Sequence, residues 1–213
     1  NLRIPLNNDL HVDASGAAPS EANLTGGSPP AWSQGPSAGA LKLPGKPETF
    51  VQVDSSAQLD RCDRFSYGGW FKTDADGAIV SKMDDANGYR GFNLLAAGGK
   101  LQVHLVHHWP DDALKVITHD PIPPSSWHHA FVTYDGTGKA SGLVVYLDGR
   151  LMPLDIEADT LKNSIANDQP LRLGKRSTSL SLNGEIADIR LYSRALSPDE
   201  VFQIAARPML DLA

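Results

Sequence analysis

The chain has 213 residues, 19 of them basic and 25 acidic, for a formal net charge of −6. With 41% hydrophobic residues it has material for a real core, which excludes general disorder, and a mildly acidic domain lacks the electrostatic footprint of a nucleic-acid binder. Its 19 glycines and 15 prolines point to many turns and short strands rather than long helices, and a β-sandwich of this length is commonly one domain.

In chain order, residues 1–48 read as an irregular Gly/Pro/Ser/Ala/Asn-rich leader with edge strands at 2–6, 10–12 and 40–43. Trp32 in this leader is expected to cover an edge of the sandwich. From Thr49 onward, short β-rich runs follow one another at spacings of about 10–15 residues, separated by Gly, Asp, Asn or Pro, which is the pattern of a sandwich. Strands are predicted over 49–54, 65–73, 78–83, 90–96, 100–108, 114–119, 128–135, 142–148, 150–156, 170–174 and 184–192. Leu101, Val103 and Leu105 alternate with Gln102 and His104, so one face is buried and the other polar. Ala187, Ile189 and Leu191 alternate with Asp188 and Arg190 in the same way. Asp148-Gly149 between two apolar runs predicts a tight hairpin. Ser197-Pro198-Asp199-Glu200 is a capping box opening a short closing helix over 197–207, with Val201, Ile204 and Ala205 as its apolar stripe and Pro208 as its stop. Trp70 and Trp127 fall inside strand patterns and are expected in the core.

No run approaches the roughly 20 apolar residues of a membrane helix, so membrane insertion is not expected. Asn1 is neither an initiator Met nor the start of a signal peptide, so the chain reads as a piece of a longer or processed protein carrying other domains. Cys62 is the single cysteine, which leaves no internal disulfide and no multi-Cys zinc site. The Asn23-Leu24-Thr25 sequon is read as a chance match.

The chain resembles the laminin-G-like (LamG) modules of the concanavalin A-like lectin/glucanase superfamily from about Leu2 to Arg207. The resemblance is carried by Phe65-Ser66-Tyr67-Gly68-Gly69-Trp70-Phe71-Lys72, by Ile79-Val80-Ser81-Lys82 with Gly91-Phe92-Asn93-Leu94, and by Trp127-His128-His129-Ala130-Phe131-Val132-Thr133-Tyr134-Asp135. Val145-Tyr146-Leu147-Asp148-Gly149 and the closing run from Asn183 to Glu200 add to it. Each motif alone is weak; their order makes the resemblance specific. It implies an all-β fold, a two-sheet antiparallel jelly roll with a short C-terminal helix, forming one domain over 1–213. It also implies a recognition or accessory module for a glycan or protein ligand within a larger bacterial extracytoplasmic protein, the alternatives being a polysaccharide hydrolase or lyase of the glucanase branch and a purely structural spacer.

Because the superfold also hosts glucanases, catalysis has to be sought at a site rather than in the fold. Retaining glucanases of this type carry Glu-x-Asp-x-x-Glu, and the chemistry needs two carboxyl groups about 5–5.5 Å apart. Starting from Glu185, the other two positions are Ala187 and Arg190, so the motif fails and no catalytic residue is assigned. The pairs Asp84-Asp85 and Asp111-Asp112 read as solvated loop charges, since neighbours on a strand point to opposite faces.

Five of the seven histidines fall at 104, 107, 108, 128 and 129. His104 and His108 share a face of a regular strand but would sit about 13 Å apart, too far for one zinc ion. Satisfied or solvent-facing histidines are therefore the favoured reading, the alternative being a cross-strand site that pairs His104 with another strand. Calcium is the better metal expectation, because the resemblance implies a Ca²⁺ that ties an N-terminal loop to the closing strand. Asp13, the Gly16 carbonyl and Asp188 supply candidate oxygens, although Ala17-Ala18 and Ala187 depart from the pattern and calcium wants six to eight. The alternatives are an Asx turn at Asp13 and an ion pair of Asp188 with Arg190 or another base. For a ligand surface, a flat aromatic next to polar side chains is the combination that grips sugars. His107, His108, Trp109 and Asp111 in one loop, with Tyr89 and Arg90 in another, are the candidates, the competing reading being that Trp109 folds back over the sandwich.

Overall fold

The structure, a computed structural model, describes residues 1–15, 21–36, 38–54 and 58–210. The strands are β1 (Leu2–Ile4), β2 (Asp13–Ala14), β3 (Glu21–Leu24), β4 (Ala31–Gln34), β5 (Gly39–Pro44), β6 (Val51–Asp54), β7 (Phe65–Lys72), β8 (Gly77–Asp84) and β9 (Arg90–Ala97). They continue as β10 (Lys100–His108), β11 (Asp112–Thr118), β12 (His128–Tyr134), β13 (Leu143–Leu147), β14 (Arg150–Leu151), β15 (Leu154–Asp159), β16 (Leu171–Leu173) and β17 (Asn183–Tyr192), and the helix α1 runs over Pro198–Leu210. All pairings are antiparallel. One sheet runs β14-β13-β12-β7-β17-β1-β2, with β5 bridging β17 and β4; the other runs β15-β11-β10-β9-β8-β16-β6-β3. The expected all-β sandwich with a short C-terminal helix is what the chain forms.

Period-two alternation builds the core between the sheets. Phe65, Tyr67 and Phe71 of β7 and Ala130, Val132 and Tyr134 of β12 meet Phe92, Leu94 and Ala96 of β9 and Leu101, Val103 and Leu105 of β10 in one buried cluster. Burying a side chain of this size contributes roughly 1.5–3 kcal/mol. Tyr67 carries its hydroxyl across the core and donates to the Asn93 carbonyl at 2.9 Å, and burial pushes its pKa up. A core phenol needs such a partner to offset its desolvation.

Four expectations need correction. The leader carries more strand than expected: its described residues supply β1 to β5, with Trp32 half-buried in β4 and packed on the core, and the piece expected at 10–12 is replaced by β2 at Asp13–Ala14. The strand expected at 150–156 divides between the two sheets, β14 closing the edge of one and β15 that of the other. Strand β17 does not alternate evenly. Its register against β7 shifts between Ala187 and Arg190, with Asp188 at φ 45°, so Ile186, Ile189 and Leu191 face the core while Ala187 turns outward. A bulge adds one residue and switches which positions face inward. Finally, α1 continues past Pro208 to Leu210; the missing proline N–H costs one i→i−4 bond, and only two helical residues follow it.

The turn and cap expectations match. Asp148 and Gly149 take φ 53° and 75°, the paired positive angles of a type I′ hairpin, and the Asp148 carboxylate accepts from the His129 amide at 2.8 Å and meets His128 Nδ1 at 2.8 Å. Ser197 and Glu200 exchange cap hydrogen bonds, and Glu200 also takes two from Arg194. The helix lies on the outer face of the nine-stranded sheet, where Val201 and Leu196 bury Phe131 and Tyr146.

Trp70, Trp127 and His129 belong to that same outer face rather than to the inter-sheet core. Trp70 is buried among Ala40, Ala187 and a half-buried Trp127, and it meets His129 edge-on. The His129 imidazole is fully buried, stacked on Phe131, and among the described residues neither ring nitrogen has a hydrogen-bond partner. Burial, reinforced by Arg190 and opposed by Asp188 and Asp148, pushes its pKa down to about 4. A histidine that is harder to protonate folded than unfolded adds stability above the unfolded pKa near 6.5 and loses it as pH falls toward the folded value, at up to about 1.4 kcal/mol per pH unit. We therefore expect the melting temperature to fall between pH 7 and pH 5, and His129→Phe to flatten that slope. Equal slopes for the two proteins would contradict a neutral, buried His129.

Candidate functional site

Alternation leaves the outer face of the eight-stranded sheet to a second set of side chains. The strand register places Lys115, His104, Asn93, Ser81, Arg172, Gln52 and Asn23 opposite one another on successive strands, a polar row running across β11, β10, β9, β8, β16, β6 and β3. At the Lys115–Asn93 end of the row the surface hollows to about 300 Å³. The floor is His104, Asn93, Gln102, Leu95 and Met83; the walls come from loops carrying Tyr89, Trp109, Arg176 and Leu180.

The two aromatic loops are tied together. The Trp109 amide donates to the Gly88 carbonyl at 2.9 Å, which brings Tyr89 and Trp109 to one hollow, as the sequence suggested. Gly88 has φ 63°, and a Cβ there would fall 2.5 Å from the His108 ring, so only glycine fits this crossing. Trp109 folds back on the sandwich and still turns one side to the hollow. It is half-buried, one side packed on the cluster of Met83, Val106 and Ala113, while it also lines the hollow and meets His104 edge-on with centroids 5.8 Å apart.

The remaining predicted ligand residues stand outside the hollow. His107 pairs through Nδ1 with the Ser164 carbonyl at 2.6 Å and receives Arg90 on its carbonyl at 3.4 Å, so His107 and Arg90 brace the 164 loop. His108 packs over Gly88, and Asp111 is exposed in the loop beyond Trp109. The reason is a bulge: the β10–β11 register shifts between Val106 and His108, so simple alternation fails at the end of β10.

The residues the sequence did not single out as ligand-binding do most to define the hollow. Asn93 donates its amide nitrogen toward the Met83 sulfur at 3.1 Å, and a thioether can only accept. Its oxygen is thereby turned to His104 Nδ1 at 2.9 Å and must accept the ring N–H. His104 Nε2 is left with a lone pair, ready to accept a hydroxyl proton. Burial, with Lys115 and Arg176 adding, pushes the His104 pKa down to about 3, so the ring stays neutral. Lys115 is the cross-strand partner of His104; its ammonium lies 5.7 Å from the Trp109 ring and 2.6 Å from Glu157. The Arg176 guanidinium stacks over Tyr89 at 4.9 Å.

Asp85 explains why Arg176 and Leu180 are there. It is not a solvated loop charge: its side chain is 7% exposed and its Oδ2 accepts from the Thr178 amide at 3.2 Å and hydroxyl at 2.9 Å, pinning the 176–180 loop over the sheet. Asp112 does the same for the 162–163 segment, accepting from the Lys162 amide at 2.6 Å and Asn163 Nδ2 at 2.7 Å.

Of the expected calcium donors, Asp188 and Asp13 are described, and each has another partner. Asp188 is buried against Arg190 Nη2 and Arg3 Nε, each at 2.6 Å. Burial alone would raise its pKa, but the hydrogen bonds from Arg190 and Arg3 hold it below the ordinary value. A carboxylate already held by two guanidinium groups is a poor calcium ligand, and the alternative reading of Asp188 as an ion-pair partner is the one the geometry matches. Asp13 is exposed, 3.1 Å from His11 Nε2, and Gly16 lies outside the described residues. Among the described residues, no three His, Cys, Asp or Glu side chains converge as a metal set. Glu185 is likewise engaged, by Ser33 and by Lys72 at 3.6 Å.

A family model described as the concanavalin A-like lectin/glucanases superfamily, of the laminin G type, matches residues 45–202, and the chain belongs to that superfamily. Among solved structures, it is similar to the botulinum neurotoxin serotype G binding domain at TM-score 0.70 and 15% identity, covering 96% of this chain and 50% of the other. It is similar to the binding domain of Paraclostridial Mosquitocidal Protein 1 at TM-score 0.69 and 15% identity, covering 89% and 48%. It is also similar to domain 4 of AbnA, a GH43 extracellular arabinanase from Geobacillus stearothermophilus solved in complex with arabinotriose, at TM-score 0.63 and 17% identity, covering 96% and 97%. The chain spans about half the length of the two toxin domains, and at these identities the likeness is one of fold.

Calcium linkage is directly measurable. With Asp188 held by Arg3 and Arg190, millimolar Ca²⁺ or EDTA is expected to leave the melting temperature unchanged. A calcium-dependent rise would show that a cation displaces those arginines or binds elsewhere.

Proposed function

We propose that the chain is a non-catalytic carbohydrate-recognition module and that the hollow at Tyr89, Trp109 and His104 is its binding site. The observation that carries this reading is the pairing of a half-buried tryptophan with a neutral histidine acceptor on a rigid strand floor. A sugar presents one apolar face of C–H groups and a rim of hydroxyls. Trp109 suits the first and His104 Nε2 and the Gln102 amide suit the second. Preformed polar groups on strands limit the ordering cost of binding, which matters for a hollow of about 300 Å³ that can engage only one or two sugar rings.

The arrangement supports binding over turnover. Glycoside hydrolysis uses two facing carboxyl groups, and none of the described residues lining the hollow is an Asp or Glu. Glu185 and Asp188, the acids nearest the glucanase pattern, sit on the other sheet in bonded pairs. A likeness in fold to an arabinanase domain solved with arabinotriose supports the same reading. An extracytoplasmic setting, within a longer chain that supplies other domains, belongs to it.

A glycan array followed by calorimetry tests this. Trp109→Ala should weaken binding of the best glycan by at least about tenfold, equivalent to about 1.4 kcal/mol, with circular dichroism unchanged. Asp85→Ala should also weaken it, because the 176–180 wall loses its anchor. Binding untouched by both substitutions would place the site elsewhere, and release of sugar products from any polysaccharide would overturn the non-catalytic reading.

A further inference from the structure

The hollow is lined by two cations and, among the described residues, by no carboxylate, although the chain as a whole carries net charge −6. The cations are placed differently. Lys115 stands directly across the strand pair from His104, where side chains lie within about 5.5 Å at Cβ. Arg176 rises from a loop pinned by Asp85 and sits over the Tyr89 ring. Its Nε approaches Asp85 Oδ1 only at 3.4 Å, and among the described residues neither of these two atoms forms a hydrogen bond, so this pairing is loose. Lys115 has a closer partner in Glu157 at 2.6 Å, but Glu157 is half exposed and stands outside the hollow. Both cations lie close enough to His104 to oppose its protonation, after burial.

We propose that the ligand is an acidic saccharide, its ring against Trp109, a hydroxyl donated to His104 Nε2 and its acid group held by the Lys115 ammonium and the Arg176 guanidinium. This rests on the reading of the hollow as a carbohydrate site and adds the class of sugar. A carboxylate or sulfate on the ring supplies the anion, and Arg176 has the planar donor geometry for either. A purely neutral sugar would leave the two cations answered only from outside the hollow, by Glu157 and by the 3.4 Å Asp85 contact. The acidic ligand puts a counter-group inside it.

The test compares uronate oligosaccharides (oligogalacturonate, alginate and hyaluronan fragments) and sulfated heparin fragments with the same uronates after carboxyl reduction, by calorimetry at 20 and 200 mM salt. An acidic probe is expected to bind at least about tenfold more tightly than its reduced counterpart, and to weaken with salt. Lys115→Gln and Arg176→Gln should each cost about tenfold for the acidic probe. Glu157→Gln, a surface change that frees Lys115 without touching the lining, should tighten it by about two- to threefold at low salt and leave a neutral sugar unaffected. Whether uronates or sulfated fragments respond identifies the acid. If neutral sugars bind as tightly as acidic ones with no salt dependence, the acidic assignment is wrong while the carbohydrate site stands. If Glu157→Gln weakens the acidic probe, the assignment also fails. If no saccharide of either kind binds, both it and the carbohydrate reading fall.

Discussion

A strand offers its side chains two directions only, and the eight-stranded sheet uses both for different ends. On β9 and β10 the residues Phe92, Leu94, Leu101, Val103 and Leu105 enter the shared core, while their immediate neighbours Asn93, Leu95, Gln102 and His104 form the floor of the hollow. Fixing the core therefore fixes the site, because a one-residue slip would exchange the two sets and bury His104 where Val103 now lies. Tyr67 joins these levels: seated in the core, it donates to the carbonyl of the very asparagine whose side chain orients His104.

Polar groups on a buried strand face are costly unless each has a partner, and the cost is lowest where one partner dictates the next. Along the floor of the hollow the order runs from the Met83 sulfur to the Asn93 amide to the His104 ring, ending in one open acceptor. The opposite face of the molecule manages the same problem differently. There Asp188, Arg3 and Arg190 close on one another, and α1 and the tryptophans cover what remains, leaving His129 and Trp70 Nε1 buried without partners among the described residues. Around α1 that outer face closes its polar groups on one another, and the face of the hollow ends in an open acceptor at His104.

Much of this was legible in the sequence because it is local. Alternation at 101–105, the Asp148-Gly149 hairpin and the Ser197–Glu200 capping box each need only a few adjacent residues to be recognised. Trp109 and Tyr89 stood out as aromatics in polar loops, and the superfamily resemblance, carried by ordered motifs, matches the family found over 45–202. What stayed hidden depends on distance or on phase. The bulges near Asp188 and His107 shift the alternation without any sequence mark. Arg176 and Leu180 reach the hollow from a loop more than 60 residues beyond Trp109 because Asp85 happens to anchor it, and no local pattern announces such a contact. His104 was noticed but weighed as a metal ligand; its role follows only once Asn93 is seen beside it on the neighbouring strand.

The state of His104 carries the account, since a neutral ring with its proton on Nδ1 is what makes the hollow an acceptor for hydroxyls. Long-range nitrogen–proton correlation spectra of the ¹⁵N-labelled protein report that state directly. The account predicts one unchanging tautomer, protonated at Nδ1, from pH 7.5 down to about 4.5, with Nε2 shifting when a saccharide is added. A ring that titrates near 6.5, that carries its proton on Nε2, or that is indifferent to a bound saccharide would contradict it.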